Sequence, residues 1–423
     1  MRPRGVAVLA LLCVLAGCSY GYAGAPTTPA PEPTATPTPT ATATAEPTAT
    51  PTPDGAEAYE SGGIRVEGGS LPLDAGAVFD RTARVLDSDA APPRRIVVLD
   101  DDESRDGGLA GASEPPFFRL FGLEAPETDG GEPGVAAYVA EPTTVYVNGR
   151  LTADPRLERV LAHEYVHVVQ FRTGAVRSVR DAVDRTFDGR LASRATIEGA
   201  AVFGADTYWD TYLGNGTSPA ADSLALYEGT TGAGRLSAAP YRFGYLHAAA
   251  RVDDPANLSA LYRDPPTTSE QLLHPNVTEG PARLSVRAAE DEWYASVSRQ
   301  RYGEVFVRVA LRAGVNRSAA ARAAAGWGSD ARIDFVNPAR ERGYAWVLRF
   351  DDAANATEFR AVAEAWLSER AEYDDATGTW VGEDGEYRLA RADDRTVVWL
   401  AGDDDFVANA SVAVTNGEVG VKA

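Results

Sequence analysis

Apolar positions recur at helical spacing between about Ala75 and Leu86, with Asp74 placed to cap the first turn, and RIVVLD from Arg95 to Asp100 then reads as a buried strand. The segment VAAYVAEPTTVYVN, residues 135–148, alternates on both sides of a Glu141-Pro142 turn signal and predicts a hairpin. A helix follows from near Pro155, a residue suited to a first turn, with Asp154 as its cap. Leu157, Leu161, Glu164 and Val168 fall on its adjacent turns. Two further helical stretches are RATIEGAAVFGADTYW, residues 194–209, and APYRFGYLHAAARV, residues 239–252.

Beyond about residue 284 the rhythm changes. An Ala-rich helix ends at GWGSD, residues 326–330, and a strand YAWVLRF leads into Asp351 and Asp352 as caps of a helix from about Ala354 to Arg370. Strands EYRLARA and RTVVWLA then flank Asp394 as a hairpin. Trp327, Trp346, Trp366 and Trp399 read as core anchors, because aromatic rings bury the most area per residue; a carbohydrate-binding platform is the competing use. The pattern as a whole predicts an α+β protein, with one domain over residues 57–283 and a C-terminal α+β domain or subdomain over 284–423.

The first 56 residues belong to neither. MRPRGVAVLALLCVLAGC carries Arg2 and Arg4, then an apolar run too short to span a bilayer, then the approach LAGC to Cys18. This reads as an export signal over residues 1–18 whose end resembles a lipobox, which makes Cys18 the expected lipidation site and membrane anchor on the outer face of the cell. Residues 19–56 are dominated by Thr, Pro and Ala and predict an extended, coreless stalk. Six of nine asparagines stand in N-x-S/T sequons, namely Asn215, Asn257, Asn276, Asn316, Asn355 and Asn409, an excess that predicts a glycosylated exported surface.

Charge narrows the partners. With 61 acidic against 40 basic residues the net charge is -21, and Lys422 is the only lysine, which excludes a nucleic-acid binder. The same balance resembles that of proteins from salt-loving archaea, in which concentrated salt screens self-repulsion. The acidic run Asp100, Asp101, Asp102 and Glu103 reads as a solvated strand end, with calcium binding as the alternative.

The chemistry concentrates in LAHEYVHVVQF, residues 161–171, which holds two of the four histidines. At 3.6 residues per turn His163 and His167 point the same way, so both imidazoles can reach one metal ion, with Glu164 beside them. Zinc in such a place acidifies a bound water, and the neighbouring carboxylate takes its proton as the water attacks a carbonyl. A third ligand is expected from another helix, and Glu198 stands 31 residues beyond His167. The residues after it, Gly199, Ala200 and Ala201, form a face on which two helices can approach closely.

HEYVHVVQ followed by EGAA resembles the gluzincin zinc peptidases, the thermolysin-like group, and particularly the peptidase-MA-like families of surface proteins. The resemblance covers about residues 90–280. It implies a gluzincin-like fold with His163, His167 and Glu198 as zinc ligands, Glu164 as general base, and peptides or proteins as substrates outside the cell. It also implies an oxyanion-steadying side chain on a downstream helix, for which Tyr241, Tyr245 and His247 are the candidates. Tyr241 is favoured because it follows Pro240 at the expected helix start, while Tyr245 lies deeper. The sequence departs from thermolysin four residues after the ligand glutamate, where Val202 replaces an aspartate that orients a zinc histidine; Asp206 is the expected substitute. His274, between Leu273 and Pro275, reads as structural. The alternative function is a surface-binding or envelope-structural lipoprotein that keeps the peptidase fold and cleaves nothing.

Overall fold

The hairpin expected at 135–148 forms as Ala137–Glu141 and Thr144–Asn148 and sits inside a six-stranded mixed sheet. Thr144–Asn148 pairs in parallel with Arg95–Leu99, and that strand pairs in parallel with Ile64–Glu67. Parallel neighbours need a crossover, and helix Ala75–Val85 supplies it, with the Asp74 carboxylate accepting from the Ala77 N–H at 3.0 Å. Tyr59–Ser61 closes one edge, and Ala16–Cys18 pairs antiparallel with Ala137–Val139 at the other. The computed structural model describes residues 58–100, 116–124, 136–289 and 293–423, together with the backbone of Ala16–Cys18. The rest of the expected export signal, the whole of the stalk, the Cys18 side chain and Asp101 to Glu103 lie outside the described residues. Among the described residues no helix is long and apolar enough to cross a membrane.

The motif helix, Leu157–Arg172, packs on this sheet and is buried almost all round. Tyr165 anchors it: its ring meets Phe79 edge-on at 5.3 Å and its hydroxyl donates to the Ala75 carbonyl at 3.1 Å. The helix starts two residues later than expected from Pro155. Asp154 does not cap it in the expected way, because its carboxylate accepts the Arg156 N–H at 2.8 Å and clasps the Arg156 guanidinium.

One long helix packs on the motif helix, and a second packs on the first. Phe187–Tyr208 carries Glu198, and Gly232–Arg251 carries Tyr241. The second begins seven residues before the expected start at Ala239, so Pro240 lies in its interior. Proline has no N–H for the carbonyl four residues back, which is why the sequence pattern reads it as a start. The two helices touch backbone to backbone where Gly199 meets Gly244. A Cβ on Gly199 would stand 1.9 Å from the Gly244 carbonyl carbon, and one on Gly244 would stand 2.0 Å from the Ala195 oxygen. The small-residue face expected at 199–201 is thus occupied by a helix that presents a glycine of its own.

The C-terminal module is a seven-stranded antiparallel sheet, ordered 371–374, 379–382, 386–391, 396–402, 342–350, 327–336 and 294–297. Helix Ala353–Arg370 lies on one face, with Asp352 capping the Ala354 and Asn355 N–H groups. The Ala-rich helix ends at Ala324, and Trp327 to Asp330 open a strand. All four named tryptophans are fully buried, as core anchors should be. A small sheet of 411–415, 418–422 and 286–289 covers the opposite face.

The largest apolar core does not divide at residue 284. Phe117 and Phe121, Leu236 and Phe243 share it with Trp346, Trp366 and Trp399. The architecture is α+β throughout. Of the sequon asparagines, Asn215, Asn257, Asn276, Asn316 and Asn409 are exposed. Asn355 differs: it is half-buried, and its side-chain amide packs against Gly326.

Gly244→Ala is expected to cost about 1–3 kcal/mol or more, because the added methyl meets backbone atoms that no side-chain rotation can move. A denaturant titration checks this against Gly229→Ala, where nothing lies within 4 Å of the added carbon and stability should hold.

Candidate metal centre

Two helices bring the three expected metal-ligating residues to one point. His163 and His167 stand one turn apart on Leu157–Arg172, and Glu198 faces them from Phe187–Tyr208. The two imidazole Nε2 atoms are 3.1 Å apart, and Glu198 Oε2 lies 3.5 Å from that of His163 and 3.3 Å from that of His167. Ligand atoms at about 2.0–2.2 Å from a common tetrahedral centre would be about 3.3–3.6 Å apart, so the triangle is close to the size that zinc coordination requires. Buried Glu198 Oε2 faces these two ring nitrogens and makes no well-formed hydrogen bond. The three side chains form the one cluster among the described residues that could hold a metal ion.

Burial decides the electrostatics. His163, Glu164 and His167 expose 0% of their surface and Glu198 exposes 1%. Burial pushes the His163 pKa down, favouring the neutral imidazole. At His167 burial works in the same direction, but the Glu198 and Glu164 carboxylates overcome it and hold the pKa at about 9. Burial would raise the Glu198 carboxyl, and the facing imidazoles more than reverse that, leaving it well below the ordinary carboxylate range. Without a metal, a proton on His167 therefore joins the ring to Glu198.

The far side of His167 is fixed by a residue that the sequence reading missed. Gln170 Nε2 donates to the Ile197 carbonyl at 2.9 Å and reaches the Tyr262 hydroxyl at 3.0 Å. Its Oε1 is thereby turned to His167 Nδ1 at 2.7 Å and must accept, so Nδ1 carries the hydrogen and Nε2 keeps its lone pair toward Glu198 once the proton leaves. Asp206 does not serve this purpose. It accepts instead from the Ala220 N–H at 2.9 Å, at the start of helix Pro219–Gly229. The available signal was Gln170's place one turn beyond His167 on the same face.

The structure also separates the remaining candidates. Tyr241 is buried, its ring centre 6.4 Å from that of His163. Tyr245, one turn on, packs against Phe203 at 6.3 Å and faces Asp206, away from the cluster. His247 is occupied with the Leu272 carbonyl at 3.2 Å, and His274 with Glu304 at 3.0 Å. Arg194, one turn before Glu198 and not singled out by the sequence, enters the same site. Its Nε is 3.9 Å from Glu198 Oε1 and its Nη2 is 3.5 Å from the Tyr241 hydroxyl.

Two outcomes follow for metal binding. Gln170→Ala should weaken metal affinity about 10–100-fold, measured by competition with a chelator, while Asp206→Ala should leave it unchanged. Because a metal must displace the His167 proton, affinity should climb by about tenfold per pH unit and level off as pH passes about 9. A flat titration over that range would count against the proton link.

Residues 292–411 match a family described as a domain of unknown function (DUF8575). The match lies on the C-terminal module and includes none of the metal-cluster residues. No curated protein and no solved structure matches the chain.

Proposed function

We propose that this protein is an exported, gluzincin-like zinc peptidase, with its catalytic centre at His163, Glu164, His167 and Glu198 and its lipid anchor at Cys18. The observation that carries the reading is the buried triangle of two Nε2 atoms and one carboxylate oxygen at 3.1–3.5 Å, with a second buried carboxylate, Glu164, next to it in the chain. Three protein ligands leave one coordination place open, as catalytic zinc sites require.

Bound there, zinc would act as a Lewis acid and lower the pKa of water. The chain's own residues supply the remaining parts. Glu164 accepts the proton of the attacking water and returns it to the leaving amine. Tyr241 donates to the oxygen on which charge develops. Gln170 holds His167 in the ligating tautomer, so the geometry exists before the metal arrives.

One observation favours the second reading, a metal-bearing surface protein that cleaves nothing: all three ligands are closed off from solvent. The retained Glu164 separates the two, since a scaffold has no use for a buried base beside its ligands.

Protein spanning residue 57 onward should carry close to one zinc per chain by elemental analysis, and His163→Ala or His167→Ala should remove most of it. Glu164→Gln should keep the zinc and lose about two orders of magnitude or more in turnover on a peptide library. Zinc retained with no cleavage by the wild type would select the scaffold.

A further inference from the structure

We infer that Arg194 is a second oxyanion donor, paired with Tyr241, so that the metal cluster is built to receive a tetrahedral anion. The inference rests on the peptidase reading and deepens it. Arg194 lies one turn before Glu198 on Phe187–Tyr208, and only 12% of its side chain is exposed. Its guanidinium stands 5.7 Å from the centre of the Tyr241 ring, with Nη2 3.5 Å from the hydroxyl. The two groups come from different helices, held together by the Gly199–Gly244 contact.

The placement is directional. Glu198 uses Oε2 toward the imidazoles, while Oε1 is the oxygen near Arg194 Nε. The Nε side of the guanidinium thus faces the second oxygen of Glu198 as a long ion pair without a hydrogen bond, and Nη2 extends toward Tyr241. A lysine could not do both, because an ammonium is a single point of charge. The cationic guanidinium also carries the sign that an incoming anion neutralises.

In the reaction, water adds to the peptide carbon and its proton passes to Glu164, while the C=O π pair moves onto the carbonyl oxygen. That oxygen, negative for the first time, meets the Tyr241 hydroxyl and Arg194 Nη2. Collapse returns the pair to carbon and breaks the C–N bond, and the amine takes the proton from Glu164. Arg194 therefore acts on the step and not on the resting amide, which carries little charge.

The test uses methylphosphonate, a tetrahedral oxyanion, titrated by calorimetry into zinc-loaded wild type, Arg194→Met, Arg194→Lys and Tyr241→Phe. Arg194→Met and Tyr241→Phe should each weaken methylphosphonate binding by at least about tenfold with unchanged zinc content, and Arg194→Lys should fall between Arg194→Met and wild type. On a cleaved peptide Arg194→Met should lower kcat about 100-fold with KM within about threefold. Loss of zinc from both Arg194 variants would reduce the residue to a brace for Glu198 and overturn the inference. Unchanged methylphosphonate binding and kcat in Arg194→Met would overturn it as well. A wild type that cleaves no peptide yet binds methylphosphonate through Arg194 would keep the anion site and overturn the peptidase reading alone.

Discussion

The placement of Tyr241 beside Glu198 and Arg194 depends on two glycines in contact. Gly199 and Gly244 bring the backbones of Phe187–Tyr208 and Gly232–Arg251 closer than any pair of side chains would allow. Glu198 directly precedes one contact point and Tyr241 lies one turn before the other, so their separation is set by the main chain and not by flexible packing. Arg194 joins them because it stands one turn before Glu198 on the same helix. The motif helix is fixed independently, through Tyr165 and the sheet beneath it. The cluster forms where these two rigid assemblies meet.

Such a site is expensive to bury. Removing two carboxylates from water costs several kcal/mol for each charge unless partners are already in place. Here the partners are reciprocal: the imidazoles hold Glu198 ionised, and Glu198 holds a proton on His167. The chain can therefore fold with these charges matched, and a metal ion bound there would take the place of the His167 proton.

Much of this was legible in the sequence because its signals are local. Helical spacing fixes the His163–His167 pair, and Asp74 and Asp352 cap the helices they precede. The hairpins at 137–148 and 386–402 follow from alternation and turn residues. What was not legible depended on contacts distant in sequence. Asp206 looked like the support for a zinc histidine because it is an acid on the right helix, yet it is engaged by Ala220, and the side-chain amide of Gln170, one turn beyond His167 on His167's own helix, holds the imidazole instead. Pro240 looked like a helix start because local rules cannot show that a neighbouring glycine packs the chain into a longer helix. The division at 284 followed a change of rhythm, which reports on elements and not on which elements share a core.

That shared core has a consequence for the C-terminal module. The short helix Pro116–Leu120 works as a wedge. Phe117 stacks among Tyr302, Phe306, Tyr344 and Trp346, Phe121 meets Trp346 and Trp399, and the Leu120 carbonyl accepts from the Tyr387 hydroxyl at 2.8 Å. The stretch 292–411, taken out of this chain, would lose those rings and leave a hollow lined by tryptophan, with a buried tyrosine hydroxyl short of its acceptor. The stretch that matches a family model thus shares its apolar core with Phe117, Phe121, Leu236 and Phe243 from outside the match.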